Sequence, residues 1–306
     1  MSNVDCDKMK VNSKPFRTAG CRQQLPMAMI VGVKKCGTGT LRDYIGLHPS
    51  VRMVIGATRF PGWFGLTSGE VDEWRRQMRY TIRSQLTMTE SPGYTTCSQE
   101  CMLRLKPYLH PDTKVIAIIR EPVDRAISDY VHWLVTLNKQ GLIQLPISAK
   151  DSLRVSGKGR FMRATFRQTV LDPETGSVKE GAAVLKFGRY IEGLRKLVTA
   201  YGHENVLVLD GTAFAKDPFP VMKQLERFLN LPNFFTRDHF SRNPKTGFYC
   251  VAVPAGSKPK CANPKTKGRP HPLIDNNTLS ILRDYFRPYN KQLVDEFHLS
   301  FPWLFL

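Results

Sequence analysis

Two lysines and two glycines crowd into VGVKKCGTGTL, residues 31–41, where an apolar run meets a helix-like segment. A glycine-bearing loop between a strand and a helix turns backbone N–H groups and the positive end of the helix dipole toward one point, and both favour a phosphate or sulfate group. Residues Lys34, Lys35, Cys36, Gly37, Thr38, Gly39 and Thr40 therefore read as an anion cradle; a tight turn with solvated lysines is the plainer alternative. A nucleotide triphosphatase needs G-x-x-x-x-G-K-[ST]. Gly32 and Gly37 keep that spacing, but Thr38 and Gly39 stand where the phosphate lysine and the Mg²⁺ hydroxyl belong, so the loop is cationic without a metal site.

Two further stretches carry matching chemistry. In KVIAIIREPVDRAISDY, residues 114–130, Arg120 ends an apolar run and Ser128 follows on a helix. The carboxyl ends of parallel strands line the ligand crevice, which would bring Arg120 to the anion held by the first loop. Asp124 and Arg125 read as a helix start with local ion pairs. The third stretch is GFYC, residues 247–250, followed by KTKGRPHP, residues 265–272. An aromatic near a basic glycine loop suits a nucleotide, the ring packing on base or ribose and the phosphate taking Lys, Arg and N–H groups. Alone, that loop is a solvated turn.

These residues need a frame. Met27–Val33, Lys114–Ile119 and Asn205–Leu209 are short apolar runs that read as buried strands. Helices are expected over Leu41–Leu47, Val71–Gln85, Ala126–Leu137, Ala183–Tyr201, Val221–Leu229 and Asn277–Phe297. Alternating strands and helices predict an α/β fold, a parallel sheet covered on both faces. Residues 1–24 are polar and irregular and read as a tail or stem, with one domain over 25–306; Gly141–Ser177 reads as a surface excursion.

The charge narrows the partner. Against 26 acidic residues the 306-residue chain sets 45 Lys and Arg, a formal +19, well beyond what solubility needs. Six basic residues face Asp151 alone between Lys150 and Arg167, and seven stand without an acid between Phe240 and Ile274. A polyanion is expected: nucleic acid, acidic glycan or anionic membrane. No run approaches the ~18 apolar residues of a membrane span, and MSNVDCDKMK lacks a signal-peptide core, so the chain as written is expected to be soluble. The seven cysteines form no structural-zinc spacing. Cys250 and Cys261 flank a Pro/Gly loop that a disulfide would close, or they are buried thiols. Asn276-Asn277-Thr278 is the one N-glycosylation sequon.

The ordered set QLPMAMIVGVKKCGTGTL, HPSV, KVIAIIREPVDRAISDY, DPFPVMKQLERFLNL, NPKTGFYC and KGRPHP resembles the Golgi sulfotransferases of glycosaminoglycan synthesis, most nearly the heparan sulfate glucosamine 3-O-sulfotransferases. The likeness runs from Gln24 to about Phe301. It implies a P-loop-like parallel sheet, the donor 3'-phosphoadenylyl sulfate (PAPS), no metal, an acidic glycan acceptor rather than nucleic acid, and the Golgi lumen. By position, Lys35 matches the lysine at the bridging oxygen of the leaving phosphate, within a 5'-phosphosulfate loop over Lys34–Thr40. Arg120 and Ser128 match the pair gripping the 3'-phosphate. Tyr249, Lys267, Gly268, Arg269, Pro270 and His271 complete the nucleotide site, and Cys250 with Cys261 matches the family disulfide.

The acceptor side departs from this pattern. The family base lies in a Glu-x-His-Phe-Phe segment nine residues after the His of the HPxV turn, but counting from His48 gives Ala57-Thr58-Arg59-Phe60-Pro61. A family lysine becomes Glu90, and the arginine after GGT becomes Gly39. One reading keeps transfer, with Glu90 as the substitute base, His132 as the other candidate and Arg59 near the substrate. A second keeps PAPS or glycan binding without transfer. A nucleotide kinase, the third, lacks its Mg²⁺ pattern.

Overall fold

The computed structural model describes residues 4–54, 67–139, 143–144, 154–157, 160–163, 165–261 and 271–306. Five short segments pair in parallel: β1 (Ala28–Gly32), β2 (Val51–Val54), β3 (Leu86–Glu90), β4 (Lys114–Ile119) and β5 (Val206–Asp210), in the order β5-β4-β1-β3-β2. Every residue of β1 is buried, as are the last five of β4, because central strands covered on both faces have no polar side to show. The expected α/β parallel sheet is present, with two strands that apolar runs did not announce. In β3, Thr87 and Thr89 are buried among Met88 and its neighbours and break the hydrophobic run. The Thr87 hydroxyl reaches the Thr81 hydroxyl at 3.4 Å, so its burial is not left unpaired.

The chain folds as two compact units, Met1–Ile119 with Gly193–Ala262, and Arg120–Glu192 with Asn263–Leu306. The first holds the sheet and helix α1 (Thr38–Ile45). The second is built on α2 (Pro122–Lys139) and α3 (Asn276–Phe297), whose Tyr130, Leu282 and Phe286 bury with Phe166 and Leu185. Among the described residues, no helix is long and apolar enough to cross a membrane.

The segment expected as a polar, irregular tail is folded. Cys6 and Cys21 are disulfide-bonded, Cys6 and Phe16 bury against Ile82 and Tyr80, and Arg22–Gln23 pairs antiparallel with Tyr80–Thr81. Arg52 and Gln85 both donate to the Val4 carbonyl, at 2.7 and 2.9 Å. That pairing also explains why the helix expected over Val71–Gln85 stops at Arg76: the residues after it form a strand whose partner lies nearly sixty positions away. The helix expected over Ala183–Tyr201 is two, Ala183–Lys186 and Tyr190–Tyr201. Between them Gly188 touches Phe286, where a Cβ would lie 2.8 Å from the ring.

Candidate functional site

Beyond β1 the chain turns sharply. The Val33 N–H donates to the Ile118 carbonyl of β4 at 2.9 Å, and the Cys36 N–H closes back on Val33 at 3.1 Å. Lys35 then takes φ 75° and Gly37 φ 107°. The left-handed region is sparsely occupied by side-chain-bearing residues, and those that hold it cluster at functional positions. Gly37 needs its missing Cβ for the backbone angle rather than for space, since a Cβ there would meet Ile118 and Phe214 at ordinary distances. As the N-cap of α1 it offers no side-chain acceptor to the first turn, which suits a helix start meant for an external anion. Gly32 is different: a Cβ would lie 2.7 Å from Thr95 Oγ1 and 3.1 Å from the Pro92 carbonyl, so the turn after β3 packs directly on the loop's entry. Cys36, beside Lys35, is buried and is the one cysteine among the described residues outside a disulfide.

One strand over, β3 ends in Glu90, in register with Ile30 of β1. Its side chain is 10% exposed, and Oε2 accepts from Arg42 Nη1 at 2.7 Å. Arg42 lies on α1, with Nε and Nη2 donating to Asp43 Oδ1 at 2.9 and 2.6 Å. Glu90 is thus neither a solvated surface carboxylate nor loose; it is mostly buried and held by one oxygen. About one turn of α1 carries the link from loop to carboxylate, and nothing in the sequence pairs positions 48 residues apart.

The same helix reaches the third element. Burial pushes the Tyr44 phenol up to about 12, so it stays a donor and gives its hydrogen to the Tyr249 carbonyl at 2.8 Å. Tyr249 opens the strand Tyr249–Val251, where Cys250 faces Cys261 of Lys260–Cys261 in register and the two are disulfide-bonded. The HPSV histidine is structural: Ser50 N–H donates to His48 Nδ1, leaving Nε2–H for the Pro232 carbonyl at 3.0 Å. Burial holds this imidazole below its ordinary range, hence neutral.

Arg120, Ser128 and His132 belong to the second unit. The Arg120 carbonyl accepts from Tyr190 Oη at 2.8 Å, Nη2 donates to the Asp124 carbonyl at 2.6 Å, and Nε is buried with no hydrogen-bond partner among the described residues. Glu121, which sequence reasoning passed over, caps α2: its carboxylate accepts from the N–H groups of Val123 at 3.1 Å and Asp124 at 2.6 Å, and burial pushes it above the ordinary carboxyl range. The ion pairs expected at the helix start differ in partner. Arg125 is fully buried and binds Asp129 one turn on, at 3.0 Å, while Asp124 stays exposed. Ser128 and His132 are half-buried on α2, and His271 is exposed. Ala57–Pro61, with Arg59, and Lys267, Gly268, Arg269 and Pro270 lie outside the described residues.

A sequence profile of the sulfotransferase domain matches residues 25–268. The mouse (Mus musculus) heparan sulfate glucosamine 3-O-sulfotransferase 3B1 is 33% identical over 94% of this chain and 67% of its own length. The human (Homo sapiens) heparan sulfate glucosamine 3-O-sulfotransferase 6 is 31% identical over 94% of this chain and 77% of its own. Among solved structures, a sulfotransferase from Alicyclobacillus acidocaldarius shares the fold, with a TM-score of 0.59 over 92% of this chain and 100% of that one, at 19% identity.

Proposed function

The chain belongs to the sulfotransferase family, alongside the heparan sulfate glucosamine 3-O-sulfotransferases, and from that membership we propose that it moves a sulfuryl group from PAPS to a hydroxyl or amine of an acidic glycan such as heparan sulfate. The observation that carries this reading is the loop after β1, with Lys35 and Gly37 held left-handed before an uncapped helix start. Such a turn gathers backbone N–H groups around an anion, and Lys35 adds charge where a phosphate must leave. By the family pattern Arg120, and Ser128 on the helix that follows it, would grip the 3'-phosphate. Tyr249 and the loop holding Lys267 to His271 would bind the rest of the nucleotide.

When bound, PAPS supplies an activated sulfuryl group with phosphate as leaving group. The chain's residues orient the acceptor, take its proton and stabilise the departing charge. In Glu90 we assign the base: as the acceptor O–S or N–S bond forms and the S–O bond to phosphate breaks, the acceptor proton passes to the Glu90 carboxylate and the negative charge to a phosphate facing Lys35. The formal +19 supports an anionic acceptor, and the disulfides support an oxidising compartment such as the Golgi lumen.

The test combines calorimetry with PAP, the desulfated donor, and transfer from labelled PAPS to heparan sulfate, chondroitin sulfate and small hydroxylated acceptors. Binding with transfer to a glycan supports the proposal. Binding without transfer to any acceptor makes the chain a donor-binding relative, and no PAP binding removes the donor assignment.

A further inference from the structure

A general base needs its carboxylate aimed as well as ionised, and Glu90 sits on three rotatable side-chain bonds. We infer that Arg42 is a positioning residue for the reaction, a guanidinium that locks one oxygen of Glu90 and leaves the other as the proton acceptor; this rests on the reading of Glu90 as the base. Arg42 is itself immobilised on its own helix. Nε and Nη2 both bind Asp43 Oδ1, which leaves Nη1 to reach β3 and hold Glu90 Oε2 at 2.7 Å. Glu90 Oε1 is the oxygen that Arg42 does not hold, and the side chain keeps 10% of its surface exposed.

The two carboxylates use all three guanidinium nitrogens, a fork geometry that an ammonium cannot copy. The arrangement Asp43–Arg42–Glu90 thus ties the base to the helix that starts at the anion loop, so that proton acceptor and anion cradle are mounted on one rigid piece: β1, its loop, α1 and the adjacent end of β3. A base oriented by a third group is the general logic of activated sites.

The test is a cycle of Arg42→Met, Arg42→Lys, Glu90→Gln and the double variant Arg42→Met/Glu90→Gln, with kcat and acceptor KM at saturating PAPS, PAP affinity by calorimetry, and thermal melts. Misaiming a catalytic group costs on the order of 10–10² in rate. Arg42→Met is therefore expected to lower kcat by about that factor, with acceptor KM changed less than about threefold and PAP affinity unchanged. Arg42→Lys, which also serves if the Met variant folds poorly, should recover part of the loss. In the Glu90→Gln background, Arg42→Met should remove nothing further, because the group it aims is gone. Equal losses in both backgrounds, or a wild-type kcat in folded Arg42→Met beside an inactive Glu90→Gln, overturn the inference and leave the base reading standing. Wild-type kcat in Glu90→Gln, or no transfer by the wild type, overturns both.

Discussion

The carboxyl ends of β1 and β3 lie side by side in the sheet and solve opposite problems. At β1 the proposed site is made by the backbone, where Lys35 and Gly37 hold left-handed angles and the side chains would add charge. At β3 the proposed site is a side chain, and Glu90 keeps its place through a salt bridge to Arg42. The difference bears on what each end can exchange. A backbone cradle depends on glycine and on angle, which would tie its chemistry to the donor's phosphates. A side-chain pair depends on charge, and charge can be rearranged without moving the strand. It is here that the sequence resemblance to the family lapses, with Gly39 and Glu90 standing where cations are expected.

Glu90→Gln makes the sharpest test of that division. It keeps size and polarity but removes proton acceptance, so turnover should fall by roughly 10²–10⁴ while PAP affinity holds, as steady-state rates and calorimetry would read. Lys35→Ala comes next, with turnover lower by about 10²–10³ as the departing charge loses a fixed donor and the melting temperature unchanged. A folded Lys35→Ala enzyme at full rate would remove the leaving-group role. Arg120→Ala should weaken PAP by about 1–3 kcal/mol, some 5–150-fold, through loss of a charge-assisted contact. Equal affinity would mean that this guanidinium serves its own unit alone. The smallest effect tests the backbone itself. Gly37→Ala adds a methyl at φ 107°, where an L-residue is disfavoured by about 1–2 kcal/mol, and PAP should bind roughly 5–30-fold more weakly with acceptor KM unchanged. A change confined to acceptor KM would blur the line between the two ends.

What the sequence made legible follows the same division. β1, β4 and β5 announced themselves because a strand buried on both faces is an unbroken apolar run, and the glycines marked the loop between β1 and α1. β3 stayed hidden because Thr87 and Thr89 interrupt its pattern, and β2 because four residues, VRMV, are too few to show a period. The Arg42–Glu90 and Tyr44–Tyr249 links join residues 48 and 205 positions apart, which no local periodicity encodes. Glu121 was overlooked for another reason: a carboxylate just before a proline reads as part of a turn, and its capping role shows only once the helix start is placed at Pro122.

Trimming the chain at Leu25, where the family match begins, would do more than shorten it. The discarded piece carries the Cys6–Cys21 clasp, the ring of Phe16 that meets Tyr80 edge-on, and the carbonyl that satisfies Arg52 and Gln85. What remained would present a bare apolar seam beside an unpaired two-residue strand, the kind of surface that makes a purified protein stick to itself. A chain cut at the family boundary is therefore expected to aggregate, and reducing the Cys6–Cys21 bridge to loosen the same seam.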